Sequence, residues 1–184
     1  MKLQRGAAQK GFSLLEIAAT MVVIALLVAV AVTRRSNDPT RAITVRDVLI
    51  GQLRAAQMRS MQSGGVQTGP AGTVGQVYGL TSDGANAYWM FSGNDPNAAG
   101  AVVKVLDDPA VMNAAGKVLL PSKKVTTTAF TVIFSGLGIP CTAYTNESTY
   151  TAMAAPLTIT VTDPNQQVPV TQTLTLTPGT GYIP

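Results

Sequence analysis

The chain has 184 residues, 46% of them apolar and 12% charged, which allows one ordinary domain plus a membrane segment and leaves little room for a second domain. It contains no histidine and one cysteine, Cys141, so the sequence excludes intrachain disulfides and argues against the commonest zinc and general-base chemistry of enzymes. The net charge of +4 is concentrated near the N-terminus, because four lysines and six acids lie beyond residue 60. This distribution argues against a head that binds nucleic acid.

The first predicted element is an apolar helix over residues 12–32, in which only Ser13, Glu16 and Thr20 are polar. At about 1.5 Å per residue, such a helix could cross roughly 30 Å of hydrocarbon. Basic residues before it predict a cytoplasmic N-terminus, a single pass through the inner membrane and a periplasmic head. The run is too long for an ordinary cleaved signal peptide. A plain signal anchor would not explain Glu16, since a charge within the bilayer costs up to a few kcal/mol.

The stretch from Lys10 to Glu16 reads KGFSLLE and resembles the type III signal of type IV pilins and of the pseudopilins of type II secretion. The resemblance implies that a prepilin peptidase cuts between Gly11 and Phe12 and then methylates the new amino terminus at Phe12. It also implies that Glu16, the fifth residue of the mature chain, pairs with the methylated amino terminus of a neighbouring subunit. Glu16 would thereby set the register of subunit assembly.

The same resemblance implies the partners of the chain. They are the prepilin peptidase, other pilin subunits in a filament, an inner-membrane assembly platform, and membrane lipid before assembly. The mature chain would move from the inner membrane into a pilus or pseudopilus. No catalytic residue, metal ligand or cofactor is implied.

A second helix is predicted from residue 39 to about residue 62, where Gly64-Gly65 follows. Pilins often have a proline at the twenty-second mature residue, but this chain has Thr33 there and its next proline is Pro39. We therefore expect the helix to break or to be capped again at residues 36–39, with Asp38 as N-cap. Apolar residues spaced by three and four predict a face that packs on a sheet: Ala42, Val45, Leu49, Leu53 and Ala56. A flanking strip contacts either neighbouring subunits or the core: Ile43, Ile50 and Met61.

The rest of the chain is rich in short β-prone segments. Residues 76–81 and 87–91 flank Asp83-Gly84 and predict a hairpin. Further strands are predicted at residues 125–134, 157–162 and 168–177, the last two joined by a turn at residues 163–165. Because these strands are apolar on one face, we expect one antiparallel sheet wrapped against the second helix.

The predicted fold class is therefore α+β, with a long N-terminal α-helix packed on an antiparallel β-sheet head, as in pilins. The first half of that helix would span the membrane. The predicted boundaries are a leader at 1–11, a membrane and assembly helix at 12–35, the second half of the helix at 36–63, and a periplasmic head at 64–184. The segments VLIGQLRAAQMRSM, VIFSGLGIP and GTGYIP loosely resemble the GspH/FimT-like branch, which includes minor pilins of the mannose-sensitive haemagglutinin type.

Polar groups of the head are weaker candidates for a site. Asx residues at 83, 94–97, 107–108 and 163–165 could supply oxygen ligands to calcium. None has an EF-hand spacing, and Asx residues beside glycine and proline favour turns. The basic residues of the second helix are typical of a solvated face: Arg46, Arg54 and Arg59.

The predicted function is a structural minor pilin of a type IV pilus-like filament, with a role in adhesion or pilus biogenesis. An alternative is a type II secretion pseudopilin. A DNA-binding competence pilin is a further alternative, but the acidic balance beyond residue 60 argues against it.

Overall fold

The structure is a computed structural model that describes residues 14–35, 40–63, 76–105, 107, 109–166 and 168–184, and within residues 31–35 the backbone alone. Two helices come first, α1 at Leu14–Arg35 and α2 at Thr40–Ser63. The chain divides into two compact units, Met1–Asp38 and Pro39–Pro184, so α1 belongs to the first unit and α2 to the second.

The predicted α+β fold built on one long N-terminal helix is wrong. The helical residues form two helices of 22 and 24 residues in different units, and it is α2 that packs on strands. The sequence between the helices supplies the physical reason. Pro39 has no N–H to continue a helical hydrogen-bond ladder, and Ser36, Asn37 and Asp38 before it are poor helix formers. The predicted cap at Asp38 lies outside the described residues.

The prediction that residues 12–32 cross a membrane is also wrong for the described chain, and with it the single-pass inner-membrane localisation. No bilayer-spanning helix is found among the residues that the structure describes.

The larger described sheet is antiparallel and has the strand order β3-β2-β1-β6-β7-β8, with β4 also paired to β2. Its strands are β1 Tyr78–Ser82, β2 Ala87–Ser92, β3 Val102–Val103, β4 Val118–Leu119, β6 Phe130–Phe134, β7 Pro140–Asn146 and β8 Thr149–Ala152. A short 3-10 helix, Pro109–Val111, and a short α-helix, α3 at Leu120–Lys123, lie between these strands in the chain.

The predicted hairpin is confirmed. Strands β1 and β2 pair antiparallel with Leu80 opposite Met90. Asp83 closes the turn, because its Oδ1 accepts the N–H groups of Asn86 at 2.8 Å and Ala87 at 2.9 Å. Burial raises the pKa of Asp83, but these hydrogen bonds outweigh it and hold the pKa below its ordinary value.

The smaller described sheet has the order β10-β9-β5, formed by β5 Thr126–Thr127, β9 Leu157–Asp163 and β10 Val170–Leu176. The predicted pairing of the last two strands is confirmed, with Leu174 opposite Ile159. The prediction of a single sheet is wrong, because residues 125–134 divide between the two sheets. Thr126 and Thr127 pair with β9, whereas Phe130–Phe134 pairs with β1. A run of threonines is compatible with either partner, so the local pattern does not choose between them.

The predicted apolar face of α2 is confirmed as the centre of the core. All five of its residues are at most 4% exposed: Ala42, Val45, Leu49, Leu53 and Ala56. They share one cluster with residues of both sheets, including Leu80, Val132, Ile159 and Leu174. The flanking strip divides, since Ile50 packs against this core while Ile43 and Met61 are exposed.

A second apolar cluster lies on the other face of the larger sheet. It contains Trp89, Phe91 and Ile133, and alternation along β2 separates these residues from the core beneath α2. The indole N–H of Trp89 donates to the carbonyl of Pro96 at 3.0 Å, and the ammonium of Lys117 lies 3.4 Å from the centre of the Trp89 ring. The loop after β2 therefore helps to cover this face of the larger sheet at Trp89.

Candidate functional site

Helix α1 presents apolar side chains on all its faces. Every described side chain of residues 14–30 is exposed, from Leu14 at 86% to Ile17 at 51% among the large apolar residues. The polar residues in this stretch are Glu16 and Thr20. Thr20 does not offer its hydroxyl outward, because the hydroxyl donates to the carbonyl of Ile17 at 2.9 Å. A surface of this composition is suited to packing against other apolar surfaces.

Glu16 lies in the first turn of α1. A carboxylate is favoured there, because the backbone N–H groups at a helix N-terminus carry partial positive charge. Its side chain is exposed and four residues from Thr20, on the same face of the helix. The predicted cleavage and methylation residues, Gly11 and Phe12, lie outside the described residues. The structure therefore describes one of the three predicted site residues.

The polar side chains of α2 hold the C-terminal part of the head. Arg46 Nε donates to the carbonyl of Thr173 at 2.9 Å, and Arg54 Nη2 donates to the carbonyl of Ile183 at 3.2 Å. The side-chain amide of Gln57 donates to two carbonyls, those of Gly138 at 2.8 Å and Thr180 at 2.9 Å. Arg54 is exposed and Arg46 is half-buried, so the solvated face is kept in part, while each arginine also donates to a backbone carbonyl.

Asp163 is a fully buried carboxylate at the end of β9. Its Oδ1 accepts the N–H of Asn165 at 3.0 Å, its Oδ2 accepts the side-chain amide of Gln166 at 3.0 Å, and Arg41 Nη1 lies 3.9 Å from Oδ2. Burial alone raises the pKa of Asp163, but the hydrogen bonds from Gln166 and Asn165 and the charge of Arg41 lower it below its ordinary value. This arrangement fixes the β9–β10 turn.

The lowered pKa of Asp163 predicts a stability that depends on acid pH. A carboxyl group whose pKa is lower in the folded chain than in the unfolded chain stabilises the fold. That stabilisation is present above about pH 4 and is lost as the pH falls through the pKa of the folded state. We expect Asp163→Asn to reduce the free energy of unfolding by about 1–3 kcal/mol at pH 7, because the replaced group accepts charge-assisted hydrogen bonds. Urea unfolding at pH 7 and near pH 2.5 measures the difference, which should shrink at the lower pH.

The exposed Asp47→Asn variant is the control and should change stability little at either pH. A difference for Asp163→Asn that is equal at both pH values would contradict the assignment.

Glu147 ties the β7–β8 hairpin to the turn that follows β6. One carboxylate oxygen accepts the N–H of Gly136 at 2.5 Å and the hydroxyl of Tyr144 at 2.7 Å. Burial, followed by the hydrogen bond and the charge of Glu147, raises the pKa of Tyr144. A single acidic residue in a turn gives no periodic signal, so sequence patterns do not single it out. The loose resemblance at VIFSGLGIP is the one sequence signal that includes this turn.

Cys141 is buried beside this turn, and its thiol donates to the carbonyl of Ile139 at 3.2 Å. Burial raises the pKa of the Cys141 thiol and outweighs a hydrogen bond with the backbone of Ser135, and the charge of Glu147 raises the pKa further. A raised pKa reduces the thiolate fraction at neutral pH, so this side chain acts in packing.

Three of the candidate calcium positions that the structure describes form turns, and a fourth, Asp107, forms an ion pair. Asp95 Oδ1 accepts the N–H of Asn97 at 2.8 Å. In the same way, Asp83 accepts the N–H of Asn86 and Asp163 accepts the N–H of Asn165. Asp107 accepts the hydroxyl of Tyr88 at 3.0 Å and the ammonium of Lys123 at 3.1 Å. Within the described ranges, no group of three acidic, cysteine or histidine side chains is placed to hold a metal ion.

No family model, no curated protein and no solved structure matches this chain. The resemblance carried by residues 10–16 therefore stays a prediction.

Proposed function

We propose that the chain is a structural subunit of a type IV pilin-like filament and that it assembles through α1. The observation that carries the proposal is the surface of α1: over residues 14–30 every described side chain is exposed, and the one charged group is Glu16 in the first turn. The stretch KGFSLLE supports it, because in pilins a peptidase cleaves at this glycine and the glutamate takes part in assembly.

The physical reason for assembly is the apolar area of α1. Burying a Leu, Ile, Val or Met side chain is worth about 1.5–3 kcal/mol, and α1 exposes many of them, including Leu14, Leu15, Met21 and Leu27. Packing α1 against the helices of neighbouring subunits would bury these side chains without any change in the head. The head then decorates the filament and acts as a folded body, not as an enzyme.

Glu16 gives this packing a defined register. After cleavage at Gly11 the new amino terminus is Phe12, four residues before Glu16 and one helical turn away. Between packed apolar helices, a carboxylate without a partner is unfavourable, so subunits are favoured in the one axial position that pairs Glu16 with a neighbouring amino terminus. The partners of the chain are then other pilin subunits, the prepilin peptidase and the assembly platform.

The amino terminus of the mature protein tests this function. Intact-mass and peptide mass spectrometry of the chain made in cells that contain a prepilin peptidase should show residues 1–11 removed and one methyl group on the amine of Phe12. The Gly11→Val variant is the control and should keep its leader, because in the resembling pilins the cut falls directly after this glycine. A mature chain that begins at any residue other than methylated Phe12 would refute the proposal.

A further inference from the structure

A cleft of about 350 Å³ lies where the end of α2 meets the first three strands of the larger sheet. Its volume is at the small end of the range of about 300–1,000 Å³ found for ligand pockets. The lining comes from α2, from the start of β1 and from the ends of β2 and β3: Arg59, Gln62, Ser63, Gln76, Tyr78, Ser92 and Val103.

Arg59 is the charged residue of this lining. Its Nη1 donates to Met90 Sδ at 3.3 Å, and a thioether is a weak acceptor. The ion pairs found among the described residues involve Arg41, Arg46 and Lys123, and Arg59 is in none of them. Arg59 is half-buried and its guanidinium has five N–H donors, so an oxyanion beside it would be favourable.

The segment that joins the two sides of the cleft cannot supply this anion. Residues 64–75 connect Ser63 to Gln76 and read GGVQTGPAGTVG, which contains no acidic residue. The sides themselves are held together, because the hydroxyl of Ser63 donates to the carbonyl of Gln76. An anion beside Arg59 would therefore come from a part of the chain more distant in sequence or from another molecule.

We propose that this cleft binds an acidic side chain of a partner polypeptide, with the carboxylate on the guanidinium of Arg59. The planar fork of arginine matches the two oxygens of a carboxylate. One positive charge in the lining suits a monoanionic carboxylate better than a dianionic phosphate. The amides of Gln62 and Gln76 can both donate and accept, which suits the peptide groups on either side of the acidic residue. All the lining residues belong to the second unit, and the proposal does not rest on filament assembly.

Titration of the full chain in non-ionic detergent tests the site, with the Arg59 Nε–H signal followed by nitrogen-15 NMR at constant ionic strength. The probe is N-acetyl-glutamate methylamide, which carries one side-chain carboxylate between two peptide groups. Its neutral isostere, N-acetyl-glutamine methylamide, and inorganic phosphate are the comparison ligands. We expect a saturable shift with a dissociation constant of about 1–10 mM, as for one charge-assisted contact.

Two variants of Arg59 distinguish the bidentate geometry of the guanidinium from its positive charge. Arg59→Lys should weaken binding of the glutamate probe at least tenfold, because it keeps the charge and loses the bidentate geometry, and Arg59→Gln should abolish binding. Arg54→Gln is the matched control on the same helix and should bind normally, since Arg54 contacts the carbonyl of Ile183 outside the cleft.

Four results would overturn the proposal. They are the absence of a saturable shift, an equal shift with the glutamine isostere, tighter binding of phosphate than of the glutamate probe, and normal binding by a folded Arg59→Gln variant. The first three are measured on the unsubstituted chain, so they do not depend on whether any variant folds.

Discussion

Replacing Gly79 with alanine is expected to destabilise the head by about 3 kcal/mol or more, the upper part of the range for overpacking in a core. Gly79 is the second residue of β1, between β2 and β6. A Cβ at this position would lie 2.4 Å from Cζ of Phe91 and 2.4 Å from the carbonyl oxygen of Val132. The Phe91 ring is fully buried and the carbonyl belongs to the paired strand, so neither can move away without disturbing the sheet.

Urea unfolding followed by circular dichroism measures this effect, and Gly51→Ala is its control. Gly51 lies in the middle of α2, is exposed, and would have no heavy atom within 4 Å of a new Cβ. Alanine should therefore stabilise the protein there by about 1 kcal/mol, through helix propensity alone. The same methyl group should act in opposite directions at the two glycines. Equal unfolding midpoints for Gly79→Ala and the unsubstituted chain would contradict the packing described for β1.

Replacing Glu16 with alanine is expected to reduce incorporation into filaments by about 100-fold or more. In the proposed assembly the variant leaves the amino terminus of a neighbouring subunit without its carboxylate, and breaking a buried ion pair in this way costs about 3–5 kcal/mol. A cost of about 3 kcal/mol corresponds to a factor of more than 100 in an equilibrium constant. The measurement is the fraction of the chain in sheared filaments relative to the total amount in the cells.

Two further variants make the Glu16 result specific. Glu16→Gln keeps the shape and removes the charge, so it should fail as Glu16→Ala does. Thr20→Ala changes a polar residue one turn further along α1 and should assemble normally, because the Thr20 hydroxyl bonds within its own helix. Normal incorporation of Glu16→Gln would show that charge pairing does not set the register. If Glu16→Gln were incorporated normally and Phe12 were still methylated, the proposed cleavage and methylation would be supported and the proposed pairing of Glu16 would be refuted.

Local hydrophobic periodicity was enough to predict the helices and strands that bury one apolar face. The spacing of Ala42, Val45, Leu49, Leu53 and Ala56 identified the buried face of α2, and all five are in the core. Alternation likewise identified β9 and β10, and Asp83-Gly84 identified the first hairpin. These patterns succeed because each records which side of a single helix or strand leaves water.

Local patterns failed where the outcome depends on a choice between distant partners. The single predicted sheet is two sheets, and residues 125–134 divide between them. Thr126 and Thr127 pair with β9, whereas Phe130–Phe134 pairs with β1. These residues satisfy more than one arrangement locally, so the packing of the whole unit selects among them.

The sequence by itself determined the composition of α1, the position of Glu16 near its start, and the absence of histidine that argues against common enzyme chemistry. Only the tertiary structure decided that Arg46, Arg54 and Gln57 hold the C-terminal segment, that Glu147 clamps a turn, and that Arg59 faces a cleft. The physical reason is the range of the interactions. Hydrophobic periodicity lies within one helix or strand. These polar side chains instead find their hydrogen-bond partners 11 to 129 residues away in the chain, and no local pattern records that distance.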